Sequence, residues 1–171
     1  ITISAKVLNK FIEEGADRSE PDCFGYVTLI AKEGIEIKNQ IKKGNDSVAV
    51  AGVDNINGGQ GFRTIQKGDL GKAMAGLDGV FTILMTHDPS HWQAEVLPKS
   101  HAQITLSGHT HAAQVRLFGW SLANLSFNEC DGRYDQDERM LCVNAGIGCT
   151  APFRIGCPSE ITVITLKTRR V

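Results

Sequence analysis

No stretch of this chain approaches the ~20 consecutive apolar residues that carry a helix across a bilayer. No signal-peptide pattern opens it, and it lacks a first methionine. Beginning Ile1-Thr2-Ile3, it reads as processed or as part of something longer, from which a targeting signal would have been removed. The expectation is a protein soluble as given, with membrane attachment of a longer form and the compartment left open. Paired-cysteine signatures are also missing. The five cysteines are odd in number and form no Cys-x-x-Cys, which argues against a closed disulfide framework and a structural zinc knuckle. Buried free thiols are expected, and a Cys149–Cys157 bridge stays open for an oxidising compartment. Runs of like charge are absent, and the net charge is −1. That argues against nucleic acid or an anionic membrane surface as the main partner. The basic end, Lys167-Thr168-Arg169-Arg170, reads as a solvated tail.

What is present suits a soluble α/β domain. The 171 residues are 42% hydrophobic and 22% charged, enough for one domain with its own core. No repeat, low-complexity tract or boundary divides residues 1–171. Ile3, Val7, Leu8, Phe11 and Ile12 recur at helical spacing up to Gly15. Residues 16–25 read as a loop, and Tyr26 to Ala31 as a strand. Ile35 to Ile41 alternates, as a half-exposed strand does, and Gly44-Asn45-Asp46 is a turn. Ser47 to Val53 is nearly continuous and small, as in a strand covered on both faces. After a Gly- and Asn-rich loop over 54–63, Asp69 can cap a helix through Leu70, Ala73, Met74 and Leu77. Val80 to Met85 is a strand, Ser90 to Leu97 a short helix closed by Pro98, and Ala102 to Leu106 another strand. Strand–helix–strand–helix–strand over 47–107 predicts parallel pairing. Residues 112–138 read as a long irregular loop or lid. Met140 to Asn144 and Ile161 to Leu166 read as two more strands.

The chemistry gathers in the histidines. Leu106-Ser107-Gly108-His109-Thr110-His111 places two of them just past a strand, and Leu84-Met85-Thr86-His87-Asp88-Pro89 places a third past another. Imidazole is the commonest metal-binding side chain near neutral pH, and loops at strand ends are where a rigid scaffold holds ligands. The bland reading of His109 and His111 is a surface loop that happens to carry two histidines. For His87 it is a satisfied loop histidine. Asp88 can orient an imidazole, but helix capping before Pro89 suits it better. His91 and His101 read as packing or surface residues. Asn144, Gly146 and Gly148 stand where a strand gives way to a loop, and the glycines permit close approach to a ligand. An ordinary turn is the competing reading. Asn57-Gly58-Gly59-Gln60-Gly61 lacks the Gly-Lys-Ser ending of a phosphate cradle.

These residues resemble the calcineurin-like metallophosphoesterases, in particular a bacterial branch. His87 resembles the family's isolated metal-binding histidine, and Gly108-His109-Thr110-His111 its closing Gly-His-x-His. Ala49 to Asp54 is similar to the strand before the family's variable middle. Val143 to Gly148, with Arg154 to Thr162, resembles the C-terminal segment of the bacterial branch, whose members often carry N-terminal membrane segments. The resemblance covers about residues 35–168 and leaves 1–34 unassigned.

The resemblance implies the C-terminal part of a four-layer αββα sandwich with a mixed sheet. It implies two divalent ions (Mn, Fe or Zn), with His87 and His109 on one and His111 on the other. Asn144, Gly146 and Gly148 would border a phosphate-ester substrate. The family's Asp-x-His, Gly-Asp-x-x-Asp and Gly-Asn-His motifs do not occur in this sequence. The bridging carboxylate and the histidine that protonates the leaving group are therefore not supplied, and a missing N-terminal half becomes an expected partner. Three expectations follow: weak metal binding and little hydrolysis by this chain alone, self-association through an uncovered sheet as a homodimer, and the alternative of a non-catalytic binding scaffold. A mononuclear metal-binding domain is a third reading.

Overall fold

The computed structural model describes residues 37–43, 46–55 and 68–166. The helix read at 3–12, the loop at 16–25, the strand at 26–31, the turn at 44–45, most of the glycine-rich loop and the basic tail lie outside the described residues.

Among the described residues, six strands form one mixed sheet. β1 (Ile37–Lys43) runs antiparallel to β2 (Asp46–Val53). β3 (Phe81–Thr86) and β4 (Ile104–Ser107) follow in parallel, as the strand–helix alternation predicts. The small residues Ala49, Val50, Ala51 and Val53 are buried, so β2 is covered on both faces as its sequence suggests. β5 (Arg116–Leu117) and β6 (Trp120–Ser121) make a separate two-stranded hairpin. β7 (Gly132–Gln136) and β8 (Arg139–Val143) return to the main sheet, whose order is β1-β2-β3-β4-β8-β7.

Two of the described helices cover one face. α1 (Leu70–Met74) begins where Asp69 Oδ1 accepts the Lys72 amide at 3.0 Å, the expected cap. It stops at Met74 rather than running through Leu77. Gly76, at φ +75°, turns the chain away, although Leu77 still packs into the core. α2 joins π-helical Trp92–Val96 to an α-helical turn, Leu97–Lys99. Pro98 therefore lies inside the helix and does not close it. The π-helical widening just before it loosens the ladder that its ring would otherwise meet. Leu70, Met74, Trp92 and Val96 pack on Ala49, Ala51, Leu84, Leu141 and Val143. The strand residues of opposite parity form the other face. Val50, Ile83 and Ile104 are buried there, while Met85, Leu106 and Cys142 are half-buried.

Two further sequence expectations are corrected. Residues 112–138 are not irregular: they hold β5, β6, a 3-10 turn at Leu122–Leu125, and β7. β7 escapes pattern reading because it is a polar edge strand, and its hairpin turn is Asp137-Glu138, both at positive φ without a glycine. Residues 161–166 form no strand despite their alternation. β8, the nearest ladder in sequence, is already paired with β4 and β7, and Ile161 and Val163 point to solvent. Thr162 is held instead by the Asn144 amide, at 2.5 Å.

Candidate metal centre

The four parallel strands β2, β3, β4 and β8 end at one edge, where ligands collect in sheets of this kind. Pairing of Val53 with Thr86 and of Ser107 with Val143 sets Asp54, His87, Gly108 and Asn144 side by side just beyond the ladder. The Gly108 amide donates to the His87 carbonyl at 3.1 Å, so the two histidine-bearing strand ends are locked together. A Cβ at Gly108 would lie 3.9 Å from the Asn144 carbonyl oxygen, ordinary contact, so no backbone clash forces the glycine.

Past Gly108 the backbone turns left-handed. His109 has φ +67°, and His111, Ala112, Ala113 and Gln114 all lie between +48° and +58°. Non-glycine residues avoid this region, and runs of them mark sites where the surroundings dictate the chain path. The surroundings here are explicit. Thr110 Oγ1 donates to the Cys130 carbonyl, and Ser121 Oγ donates to the Ala112 carbonyl. Buried Gln114 uses its whole amide: Nε2 donates to the Ala151 and Phe153 carbonyls, and Oε1 accepts from the Thr150 amide and hydroxyl and the Ala151 amide.

The path brings two of the three histidines into direct contact. His109 Nδ1 lies 2.9 Å from His87 Nε2, with the rings edge-to-face at a centroid distance of 4.7 Å. That separation serves a ring-to-ring hydrogen bond. It also equals, to about 0.1 Å, the ~3.0 Å between two nitrogens set at a right angle on one ion with bonds of about 2.1 Å. Phe127 packs edge-on against His109 from the other side, at 5.6 Å. Burial and the neighbouring His109 push the His87 pKa below 6.5. Burial likewise lowers His111; a hydrogen bond to the Ala145 main chain opposes that and the Arg154 guanidinium adds to it. Both shifts favour the neutral ring, the form that can bind a metal.

His111 leaves that pair and faces the loop after β8. Arg154 fixes this loop, donating from Nη2 to the carbonyls of Ala145, Gly146 and Gly148, and from Nη1 toward those of Cys157 and Pro158. Asn144 Oδ1 accepts from the Gly146 amide at 2.6 Å, and Gly146 adopts φ +72°. Asn144 is thus occupied at both ends of its amide within the chain. Gly146 is buried and Gly148 half-buried. Among the described residues, no group of three or more His, Cys, Asp or Glu side chains is arranged to hold a metal ion.

The other titratable residues divide cleanly. Asp88 Oδ1 accepts the Ser90 amide and hydroxyl, the capping role expected of it. His101 Nε2 donates to the Leu77 carbonyl at 2.9 Å, a packing contact. His91 is fully buried, accepting from Thr86 Oγ1 at Nδ1 and donating to Glu95 from Nε2. Sequence reasoning did not single out Asp54, whose carboxylate acts electrostatically on His87. Its signal was its place one residue past a strand parallel to the His87 strand. A cavity of about 550 Å³ opens beside the pair, lined by Asp88, Phe127 and Glu129 among others.

No family model matches the chain, and no solved structure matches it. It is 34% identical over 95 residues to the uncharacterized metallophosphoesterase YkuE of Bacillus subtilis (strain 168), which is 53% of this chain and 32% of that protein. It is 25% identical over 127 residues to an uncharacterized metallophosphoesterase of Aquifex aeolicus (strain VF5), 72% of this chain and 47% of that one. The chain spans less than half the length of either curated relative. The mixed, parallel-rich sheet is compatible with a fold of that kind, and the two likenesses together support the metallophosphoesterase family for this chain.

Proposed function

We propose that this chain supplies one wall of the metal centre of a metal-dependent phosphoesterase. The observation that carries the reading is the 2.9 Å meeting of His87 Nε2 and His109 Nδ1 at adjacent parallel strand ends. These two would share one divalent ion, Mn, Fe or Zn, and His111, turned toward the loop after β8, would serve a second. Bound metal in such a site lowers the pKa of water and neutralises phosphate oxygens. The chain's own residues hold the ligands still. Gln114 and Ser121 fix the left-handed turn, and Arg154 fixes the loop of Gly146 and Gly148, which would border a phosphomonoester, phosphodiester or pyrophosphate. The Arg154 guanidinium is spent on carbonyls, so it shapes the site rather than clamping the anion. The adjoining cavity carries carboxylates, which repel phosphate and suit the rest of the ester.

The second sheet of a four-layer αββα sandwich would pack on the face away from the helices, where Val50, Ile83 and Ile104 are already buried and Met85, Leu106 and Cys142 are half-buried. The other half of the centre would come with it, from the motifs this sequence lacks. Those half-buried side chains would be the surface for self-association, which light scattering over a concentration series reads directly. The lack of a three-ligand cluster among the described residues favours one rival, a binding scaffold without turnover. Equilibrium dialysis of residues 1–171 against manganese, with His109→Ala beside it, tests the ligand assignment: weak binding, weaker still in the variant, is expected. Equal binding by both would sink it. An aryl phosphate should not be hydrolysed above a chelator blank, and chelator-sensitive turnover would overturn the expectation that this wall is inactive alone.

A further inference from the structure

The histidine turn leads into a segment whose apolar groups face outward. Phe118 is 108% exposed, Leu125 76%, Leu117 51%, Trp120 48% and Leu122 43%. Phe118 and Leu125 thus touch little of their own protein, and three more large apolar side chains within the same nine residues are about half exposed, where a soluble surface scatters such residues singly. The shape is convex. β5 and β6 pair only as Arg116 with Ser121 and Leu117 with Trp120, and Phe118-Gly119 forms the turn. Both turn residues have positive φ, +53° and +84°. Such a two-residue turn selects Asn, Asp or Gly in its first position. Phe is among the residues least suited to it, and no contact in the fold repays the strain.

We propose that this hairpin tip inserts into the interfacial region of a lipid bilayer. Three observations favour lipid over a protein partner. The tip protrudes, so it needs a medium that yields rather than a preformed groove. Several of its polar groups are already paired inside the protein, although Arg116 Nε is not. The Leu122 amide donates to the Val115 carbonyl, the Ser121 amide to Asn124 Oδ1, and the Arg116 guanidinium to Asp131. The side chains at the tip itself, Leu117, Phe118 and Trp120, therefore offer a partner mainly apolar area. Finally, residues 112–127 contain one charged side chain, Arg116, and no acidic one to resist entry. Phe and Trp at the tip with Leu behind is the composition of interfacial anchors. Attachment is apolar, so it agrees with a net charge of −1 and needs no anionic surface. Ser121 Oγ is bonded to the Ala112 carbonyl beside His111, so docking would hold the histidine edge near the bilayer.

The experiment uses residues 1–171 with phosphatidylcholine vesicles, by co-sedimentation and tryptophan emission. Trp92 is 2% exposed and already shielded, so a blue shift on adding vesicles reports Trp120 and should vanish in Trp120→Phe. Partitioning should survive high salt and fall about tenfold or more in Phe118→Ser, the scale set by withdrawing one large apolar side chain from water. Phe118 packs on nothing, so the variant's unfolding transition should match the parent's. No vesicle binding, equal binding by Phe118→Ser, or binding abolished by salt would each overturn the proposal. So would a concentration-dependent dimer that Phe118→Ser abolishes while vesicles leave emission unchanged, because the tip would then be an interface between copies.

Discussion

The helix-covered face of the sheet and the histidine edge lie one residue apart along the chain, yet they obey opposite rules. Under the helices the side chains fit the backbone. Leu84, Leu141, Val96 and Val143 are fully buried on regular strands and helices. At the edge the backbone bends to suit the side chains: five of the six residues from His109 to Gln114 are left-handed, and none of them is glycine. The face is held by apolar area, which is non-directional and shared among many residues. The edge is held by a few directional pegs, Gln114 and Arg154 above all. A fault in the face should therefore spread through the molecule, and a fault at the edge should stay local.

The sharpest contrast comes from Leu141→Ala. It empties a fully buried site between β4 and β7 and should cost about 2–5 kcal/mol of unfolding free energy. Denaturant titration should show the midpoint fall and amide protection drop across β2, β3 and β4 together. Gln114→Ala should cost less, about 1–2 kcal/mol, because its partners on Thr150, Ala151 and Phe153 are only partly buried and the core stays closed. Hydrogen exchange should then quicken at the Thr150 and Ala151 amides while the sheet keeps its protection. Sheet-wide loss in Gln114→Ala would break the distinction between the two regions.

His91 tests the face by pH. It sits under the edge, and burial lowers its pKa below 6.5, outweighing the nearby Glu95 and Asp88 carboxylates. The unfolded chain therefore takes a proton first on acidification. This stabilisation is fully present above about pH 6.5 and is lost as pH falls through the lower folded value. His87 and His111 shift the same way and add to the slope. His91→Gln should flatten the decline in stability between pH 7 and 5 without removing it. An unchanged slope would place the whole effect at the edge.

Legibility in the sequence follows the same division. The parallel strands and the Asp69 cap were readable because burial imposes apolar runs and a cap needs one side chain. His87 and His109 were readable because an apolar run ends in each. The left-handed turn was not, since Ala112, Ala113 and Gln114 carry no turn signal and take that path only through Thr110, Ser121 and tertiary partners. Asp54 was hidden because a strand followed by a polar loop commonly ends in aspartate. The strand expected at 161–166 failed for the complementary reason: alternation states a preference, and a ladder also needs a free edge to join.

The smallest effect separates the regions by sign. His109→Gly removes an exposed imidazole and relieves a φ of +67° that glycine adopts freely. It also removes the contacts with His87 and Phe127, each partly open to solvent. Relief of left-handed strain amounts to about 1 kcal/mol, and loss of exposed ring contacts to about 0.5–1 kcal/mol, so the unfolding midpoint should be no lower than the parent's. Manganese binding should nevertheless fall in dialysis. A residue whose removal costs no stability but abolishes a ligand is kept for the ligand, and the same change in the core has no such outcome. If His109→Gly instead destabilised the chain as much as Gln114→Ala, the ring pair would be a structural hydrogen bond, and its 2.9 Å spacing would need no metal to explain it.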